Sequence, residues 1–420
     1  MNTINKLNLF IRLIDSCNNK NEAIDIITYD LSKICFSIDD VEYFINNFNT
    51  IEYTEDNINK YCELVFRFGI YTIDEQFINY LVDKYVFTQN KLLNKLKNYD
   101  QIIGNILDKL NKNNNCSDND VLYLINHIDP LKITSLDTSS AFNKITDLSM
   151  KYLLNISHLN ASHNKNITDA SVMHLLKLTN LNAKSNQNIT DKSIKCLLKL
   201  TYLNASFNKQ ITNNSVKYLV NLTELNATNN QNISDYVMKH LPNLIYLHAE
   251  FNKNITDDGI ECLKNLTHLN ASYNLKITDK SIKNKIKLIH LDAAENYNIT
   301  DNSIKCLINL SYLNTRYNCQ ITNKSIINKT TLTYLNACYN HNITDESIVT
   351  LINLKYLNAA FNENITDISI KKLTNLTLLD MQNNNKITNK EIKHLGNLIC
   401  VNANFSITSS QHMEDLHYVT

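Results

Sequence analysis

Glycine, proline and tryptophan are nearly missing from this 420-residue chain, which has 4 Gly, 2 Pro and 0 Trp. The glycines, Gly69, Gly104, Gly259 and Gly396, lie too far apart to form a glycine-rich phosphate-binding loop. No Ser/His/Asp or Cys/His constellation of a nucleophilic enzyme stands out either. We therefore expect a protein that is not an enzyme, with no catalytic residue and no cofactor.

An excess of one charge is lacking too, because 41 Lys and Arg residues balance 41 Asp and Glu residues. Residues 1–116 hold 12 basic and 16 acidic residues, which is a mild asymmetry. A surface that binds nucleic acid carries a pronounced basic patch. We therefore expect no nucleic-acid partner.

Long apolar runs and paired cysteines are missing as well. No stretch approaches the 18 or so apolar residues of a membrane span, and Arg12 and Asp15 interrupt the one segment that resembles a signal peptide. None of the ten cysteines lies in a CxxC pair or beside a histidine at zinc-ligand spacing. These features predict free thiols in a reducing compartment, a cytoplasmic location, and neither a membrane partner nor a bound metal.

What is present is a repeat of 22 residues. One copy, Leu178 to Leu197, reads LTNLNAKSNQNITDKSIKCL, and the leucine of its LNA motif recurs at every 22nd position. The eleven copies of this leucine are Leu159, Leu181, Leu203, Leu225, Leu247, Leu269, Leu291, Leu313, Leu335, Leu357 and Leu379. Degraded copies surround Leu136 and Val401. Regular repeats between two imperfect ones are typical of a solenoid with capping units.

The repeat resembles the leucine-rich-repeat family, whose core is LxxLxLxxN/C, over roughly residues 118–408. The ending NxxITDxSIxxL is most similar to the cysteine-containing subclass found behind F-box domains in ubiquitin-ligase adaptors. Asn stands here for the Cys of that subclass, Ala stands for its third Leu, and the repeat is a few residues shorter. The resemblance implies an α/β leucine-rich-repeat solenoid, a horseshoe with a concave parallel β-sheet and short convex helices.

Each position of the repeat also has a physical interpretation of its own. Leu181 and Ala183 alternate with Asn182, which predicts a short strand with one buried face. Asn186 and its equivalents should form a buried ladder by bonding backbone groups of their own turn and the next. The Asp or Asn after Ile-Thr should begin a short helix such as 193–198. Two repeats carry Lys285 and Lys329 at the inward leucine position, which predicts loose helical sides there.

Residues 1–116 lack the repeat, and helical spacing in TIDEQFINYLVDKYV indicates an all-α N-terminal domain. We assign residues 1–116 to this helical domain, 117–408 to the solenoid and 409–420 to a C-terminal tail. Asp118 or Asn119 should begin a capping helix that Pro130 ends. The order of a helical head before repeats of this subclass is that of F-box proteins, but the head has neither the Leu-Pro nor the Trp of an F-box.

Two columns of side chains should lie on the concave face. Between Tyr312 and Phe361 both columns are aromatic in three consecutive strands. Such a cluster is typical of a protein-binding hot spot, whereas the alternative is that the rings stack along the sheet and only stabilise it. The predicted partner-binding residues are Tyr246, Phe251, Tyr273, Tyr312, Tyr317, Tyr334, Tyr339, Tyr356 and Phe361. His268 and His290 lie one repeat apart, but Tyr, Asn and Glu fill the same column elsewhere, so we expect ordinary surface histidines.

Two functions follow from these observations. The first is a non-enzymatic scaffold that binds a protein partner on the concave face. The alternative is the substrate-recognition subunit of a cullin-type ubiquitin ligase, in which residues 1–116 act as a divergent F-box-like head that binds ligase components. The composition also resembles proteins of giant DNA viruses of amoebae or of A+T-rich protists. If that resemblance holds for a virus, the working compartment is the host cytoplasm.

Overall fold

A computed structural model describes residues 117–119, 121–122, 133–139 and 144–402. The predicted helical domain 1–116 and the tail 409–420 lie outside these residues. The chain divides into two compact units, Met1–Leu159 and Asn160–Thr420. In the first unit, residues 118–119 and 121–122 are helical, as predicted for the start of the capping helix. The remainder of that helix lies outside the described residues.

Thirteen three-residue strands alternate with twelve short helices in the described part of the chain. The strands are β1 Ser135–Asp137, β2 His158–Asn160, β3 Asn180–Asn182, β4 Tyr202–Asn204, β5 Glu224–Asn226, β6 Tyr246–His248, β7 His268–Asn270, β8 His290–Asp292, β9 Tyr312–Asn314, β10 Tyr334–Asn336, β11 Tyr356–Asn358, β12 Leu378–Asp380 and β13 Cys400–Asn402. The helices are α1 Asp147–Met150, α2 Asp169–Val172, α3 Asp191–Ile194, α4 Asn213–Val216, α5 Asp235–Met238, α6 Asp257–Cys262, α7 Asp279–Ile282, α8 Asp301–Ile304, α9 Asn323–Ile326, α10 Asp345–Ile348, α11 Asp367–Ile370 and α12 Asn389–Ile392.

In the second unit each strand from β3 to β13 pairs in parallel with the next strand along the chain. The register joins every residue to the one 22 positions later, as in Leu335 and Leu357. The central residue of each strand points inward, and Leu181, Ala183 and Ile189 are completely buried. This confirms the alternation that the LNA motif predicted and the α/β solenoid class.

The helices begin differently from the prediction. Thr190 is the N-cap of α3, and its side chain accepts a hydrogen bond from the Lys192 N–H (3.1 Å). The same arrangement recurs in the other described helices except α12, with Ser234 in place of Thr in α5. Asp191 is instead the first helical residue. Interpreting the Asp or Asn as the cap was wrong, because the neighbouring hydroxyl takes that role and leaves the carboxylate available for the next repeat.

The carboxylates join successive repeats. Asp191 accepts hydrogen bonds from the Thr212 N–H (2.8 Å), the Thr212 hydroxyl (2.6 Å) and the Ser215 hydroxyl (2.5 Å). In the first unit Asp118 makes the corresponding bonds to Thr146 and Ser149. This Asp–Thr ladder ties the start of each helix to that of the next, so the Asp is a bridge between repeats.

The predicted asparagine ladder is present, but each asparagine bonds to the preceding repeat and not to the next one. The Asn208 side chain accepts the Gln210 and Ile211 N–H groups of its own turn. Its amide nitrogen donates to backbone carbonyls of the preceding repeat, including that of Ile189 (3.1 Å). Asn186 likewise donates to the carbonyls of Ala161 and Ile167 (both 3.1 Å). The ladder asparagines are buried, so each one satisfies backbone groups that water cannot reach.

The two lysines at inward positions behave differently from each other. Lys285 is 9% exposed, and its Nζ donates to the Leu263 carbonyl (2.7 Å), one repeat earlier in the same column. Its helix α7 ends in the ordinary right-handed conformation, so the predicted looseness was wrong there. Lys329 bonds the Leu307 carbonyl in the same way (3.0 Å). The end of α9 does deviate, because Ile327 leaves the helical conformation (φ −54°, ψ 133°) and Asn328 has a φ of 60°.

Candidate functional site

The sheet face of the second unit is formed by the outward-pointing strand residues and the turn that follows each strand. We define the first column as the first residue of each strand, for example Tyr312, and the second column as the residue five positions later, for example Tyr317. All nine residues predicted to bind a partner lie in these two columns. The fold therefore places them on one face.

The first column is a continuous stack of six rings. The ring centroids are separated by 4.0 Å (Tyr246–His268), 5.4 Å (His268–His290), 3.6 Å (His290–Tyr312), 3.9 Å (Tyr312–Tyr334) and 4.2 Å (Tyr334–Tyr356), and neighbouring ring planes differ by at most 29°. Parallel pairing places equivalent residues at the strand spacing of about 4.8 Å, which suits stacked rings. The backbone register therefore builds the stack.

The second column contains two shorter stacks on a strained backbone. Phe251 stacks on Tyr273 (4.2 Å), and Tyr339 stacks between Tyr317 and Phe361 (4.3 Å to each). Between the two stacks, Glu295 accepts a hydrogen bond from the Tyr273 hydroxyl (2.6 Å) and raises the pKa of Tyr273 to about 12.

All eleven members of the second column, from His163 to Asn383, have a φ between 52° and 60°. This left-handed conformation costs non-glycine residues roughly 1 kcal/mol each. Nothing in the sequence indicated it, since bulky aromatic residues disfavour this region.

Stacking determines what the rings offer to a partner. The ring faces inside each stack are covered by neighbouring rings, so the edges and hydroxyl groups remain for solvent. Burial raises the pKa of Tyr334 and of Tyr356. The neighbouring phenol adds to this effect, Tyr312 for Tyr334 and Tyr334 for Tyr356. These phenols therefore stay neutral at physiological pH. The stacking that the sequence left as an alternative is present, and partner binding stays a prediction.

The neutral form is favoured at three histidines of the face, His248, His268 and His290. Burial lowers the pKa of His290 to about 4, and the charges that His268 and His248 would carry lower it further. The pKa values of His248 and His268 are also lowered by burial. Within the described residues, no group of three or more His, Cys, Asp or Glu side chains is arranged to hold a metal ion.

The charged groups on the strands themselves are acidic across five repeats. From β4 to β8, the first and third residues of each strand and the two residues before each ladder asparagine carry Glu224, Glu250, Asp292 and Glu295 but neither Lys nor Arg. Lys209, Lys253 and Lys276 lie in the later part of the turns. Burial raises the pKa of Glu224, Glu250 and Asp292, and the neighbouring Asp292 adds to the effect on Glu250. Basic charge returns at Arg316, which lies over the ring of Tyr317 (5.1 Å).

Comparison with known proteins agrees with this architecture. One chain of the yeast Rad7–Elc1 complex is 18% identical, with a TM-score of 0.53 over 91% of this chain and 96% of that one. The fold is that of a leucine-rich-repeat solenoid. The solenoid is also similar to an internalin, InlF, from Listeria monocytogenes (26% identity, TM-score 0.48, 69% of this chain and 87% of that one). The functional domain of InlJ from the same organism is 25% identical, with a TM-score of 0.45 over 65% and 68% of the two chains. No family model and no curated protein matches.

Among the residues that the structure describes, no helix is long and apolar enough to cross a membrane.

Proposed function

We propose that this solenoid is a non-enzymatic scaffold that binds a protein partner on its sheet face. The observation that carries the proposal is the doubling of the aromatic stacks across β9, β10 and β11. Tyr312, Tyr334 and Tyr356 form one row there, and Tyr317, Tyr339 and Phe361 form the other. The rings are partly exposed and already ordered by their neighbours, so a partner that contacts them loses little side-chain entropy.

Replacing one ring in each row tests this proposal. The double variant Tyr334→Ala with Tyr339→Ala removes the centre of both rows. Its control is Tyr218→Ala with Tyr236→Ala, which removes two tyrosines that are each 50% exposed outside the two columns. Each full-length protein is immobilised on a resin and incubated with lysate of amoebae, the source that the composition suggests. The retained proteins are quantified by mass spectrometry.

We expect at least one protein to be retained by the wild type and the control and lost from the sheet-face variant. Circular dichroism checks that both variants fold. If every retained protein survives the Tyr334 and Tyr339 substitutions, the partner site lies elsewhere.

A second candidate is the substrate-recognition subunit of a cullin-type ubiquitin ligase, working in the cytoplasm with residues 1–116 as its docking head. Support comes from the similarity that spans 91% of this chain and involves a protein crystallised as part of a two-protein complex. Recovery of a cullin and its adaptor by the full chain, and their loss when residues 1–116 are deleted, would support this function. Recovery of neither protein would contradict the ligase function and leave the scaffold as the proposed function.

A further inference from the structure

A cleft on the helical side of the second unit lies between the repeats of α6 and α7. Its volume is about 400 Å³, which is within the size range of pockets that hold small organic ligands. None of its lining residues belongs to the two columns of the sheet face. The lining includes the side chains of Glu261, Lys264, Leu266, Lys285, Ile286 and Lys287. We call it the Lys285 cleft.

Two departures from the repeat open this cleft. Most repeats carry a buried leucine where this one carries Lys285, whose Nζ turns back to the preceding repeat. Most repeats also carry an asparagine that bridges to the repeat before it, as Asn309 does to the Ile286 carbonyl (3.0 Å). Lys287 stands at that position and donates to the Asn265 side chain instead (3.2 Å). The space that leucine and asparagine close elsewhere is therefore left open here.

The charge of the Lys285 cleft is positive. Its lining holds three lysines and one carboxylate, that of Glu261. This carboxylate already has a cation, because Glu261 lies 3.5 Å from the ammonium of Lys280, which it shares with Asp258 (3.1 Å). Among the residues that the structure describes, none of the three lining lysines forms an ion pair. The cleft therefore lacks the counter-charge that an anion would bring.

Lys285 holds its ammonium where water hydrates it poorly. Its Nζ donates to the carbonyls of Leu263 (2.7 Å) and Glu261 (3.4 Å), which leaves one of its three N–H groups for the cleft. Burial lowers the pKa of Lys285, and the nearby charge of Lys264 lowers it further. A bound anion would supply both an acceptor for the third N–H and the opposite charge for the two lysines.

The type of anion follows from the donors. Lysine binds phosphate as a point charge, whereas the planar fork of arginine matches a carboxylate, and the lining contains no arginine. A phosphate monoester carries about −1.5 to −2 charges at pH 7 and three acceptor oxygens, one for each lysine. The cleft is larger than one phosphate group, and Leu266 and Ile286 add apolar surface beside the lysines. An organic group can therefore lie next to the phosphate.

We propose that the Lys285 cleft binds a small organic phosphate monoester, whose phosphate group is held by Lys264, Lys285 and Lys287. The organic part lies against Leu266 and Ile286. Lysine occurs at the position of Lys264 in no other described repeat, so the three ammonium groups come together at this one place in the described solenoid. The site is separate from the protein-binding function proposed for the sheet face and adds a ligand to the helical side.

The test uses the full chain and isothermal titration calorimetry with phenyl phosphate, inorganic phosphate and benzoate. At about 50 mM salt the Debye length exceeds about 10 Å, so the lysine charges reach the ligand. We expect phenyl phosphate to bind at least about 5-fold more tightly than either of the other two, because only phenyl phosphate has both the phosphate group and an apolar part. Equal binding of benzoate would overturn the assignment of phosphate. Equal binding of inorganic phosphate would overturn the organic part.

A phosphorylated side chain of a partner protein would offer the same group as a free small molecule. An octapeptide of serines with one central phosphoserine distinguishes the two sources. We expect phenyl phosphate to bind at least as tightly as this peptide. Tighter binding of the peptide would overturn the small-molecule source and assign the cleft to a phosphorylated protein.

Returning the lysines to the residues of other repeats locates the binding. Lys285→Leu restores the buried leucine of its column, and Lys264→Ile supplies the residue found at Ile308. The control is Lys329→Leu, which removes the same charge from the other lysine that bonds a carbonyl of the preceding repeat. All three variants should fold, since each introduces a residue that equivalent positions already carry, and circular dichroism checks this.

We expect Lys285→Leu and Lys264→Ile each to lose at least about 10-fold in affinity for phenyl phosphate, because each removes a charged donor. The Lys329→Leu control should bind like the wild type. Equal weakening in all three variants would mean that the ligand senses only net charge, and unchanged affinity in all three would overturn the site. These outcomes are independent of the comparison at Tyr334 and Tyr339, so the phosphate site can fail while the sheet-face scaffold stands.

Discussion

At the scale of single residues, the asparagine ladder explains why one side chain is kept in every regular repeat. Asn274 donates to the carbonyls of Ala249 (3.2 Å), Asn252 (2.6 Å) and Ile255 (3.0 Å) and accepts the Lys276 N–H (3.1 Å). Neither an aliphatic side chain nor a carboxylate can both donate and accept in this way. The amide is therefore required by the buried backbone around it.

Asn274→Ala should lower the free energy of unfolding by about 3 kcal/mol, because several buried carbonyls and an N–H lose their partner together. Urea unfolding followed by circular dichroism measures the change. Asn302→Ala, on the exposed surface of α8, is the matched control and should stay within about 0.5 kcal/mol of the wild type. A loss at Asn274 no larger than that of the control would contradict the structural role of the ladder.

The histidines of the first column predict a pH dependence. His290 has a pKa of about 4 in the folded protein against 6.5 for the free side chain, mainly because of burial and secondly because of His268 and His248. A base with a lowered pKa contributes stability that is fully present above about pH 6.5 and is lost as the pH falls towards 4. His290 stacks on Tyr312, and tyrosine occupies its column in other repeats.

His290→Tyr should therefore reduce the loss of stability between pH 7 and pH 4.5. The urea midpoint of each protein is measured at both pH values, and the change between them is compared for wild type and variant. The comparison removes the contributions of Asp292, Glu250 and the other titrating groups that both proteins share. The exposed His394→Tyr serves as the control and should leave the difference unchanged. An identical pH dependence of all three proteins would show that folding does not hold His290 neutral.

At the scale of the repeat, the link between helices is a carboxylate that receives two donors from the next N-cap. Asn can replace it, since Asn213 accepts the Ser234 N–H (2.9 Å) and donates to the Ser234 hydroxyl (2.7 Å). Asn323 bonds Thr344 in the same manner. The alternation of Asp and Asn at this position thus follows from geometry that both side chains satisfy.

Asp191→Ala should destabilise the protein by about 2 kcal/mol, because the Thr212 N–H, the Thr212 hydroxyl and the Ser215 hydroxyl lose their acceptor. Asp191→Asn should cost less than half as much. Thermal unfolding of both variants measures this order, and Asp258→Ala on the exposed side of α6 controls for the loss of a charge. If Asn were as damaging as Ala, the ladder would depend on charge and not on hydrogen bonding.

Sequence reasoning succeeded where a single periodic signal decides the structure. The spacing of Leu181, Ala183 and Ile189 predicted the strand, its buried side and the 22-residue register. It failed where adjacent residues compete for one role, as Thr190 and Asp191 compete for the N-cap. It also missed the left-handed φ of the second column, because Phe and Tyr disfavour that conformation and only the closed turn imposes it.

At the scale of the second unit, each repeat contacts mainly the repeats before and after it, so its stability should approach a sum of nearest-neighbour contributions. The strand pairs from β3 to β13 all join consecutive repeats in one register. A whole repeat can therefore be removed without disturbing the pairing of the others. The two ends of the deletion must be equivalent positions, and Ile211 and Ile233 are both completely buried members of the same column.

Deleting residues 212–233 should leave a folded chain whose helical and strand signals are unchanged in shape. The urea m-value should fall in proportion to the surface that one repeat buries, because m scales with the area exposed on unfolding. Deleting residues 366–387 is the matched control, since Ile365 and Ile387 are equivalent buried positions near the other end. Both deletions should lower the m-value alike. A chain that loses its folded signals in either deletion, or an m-value that falls in one deletion and not in the other, would contradict the nearest-neighbour account of the fold.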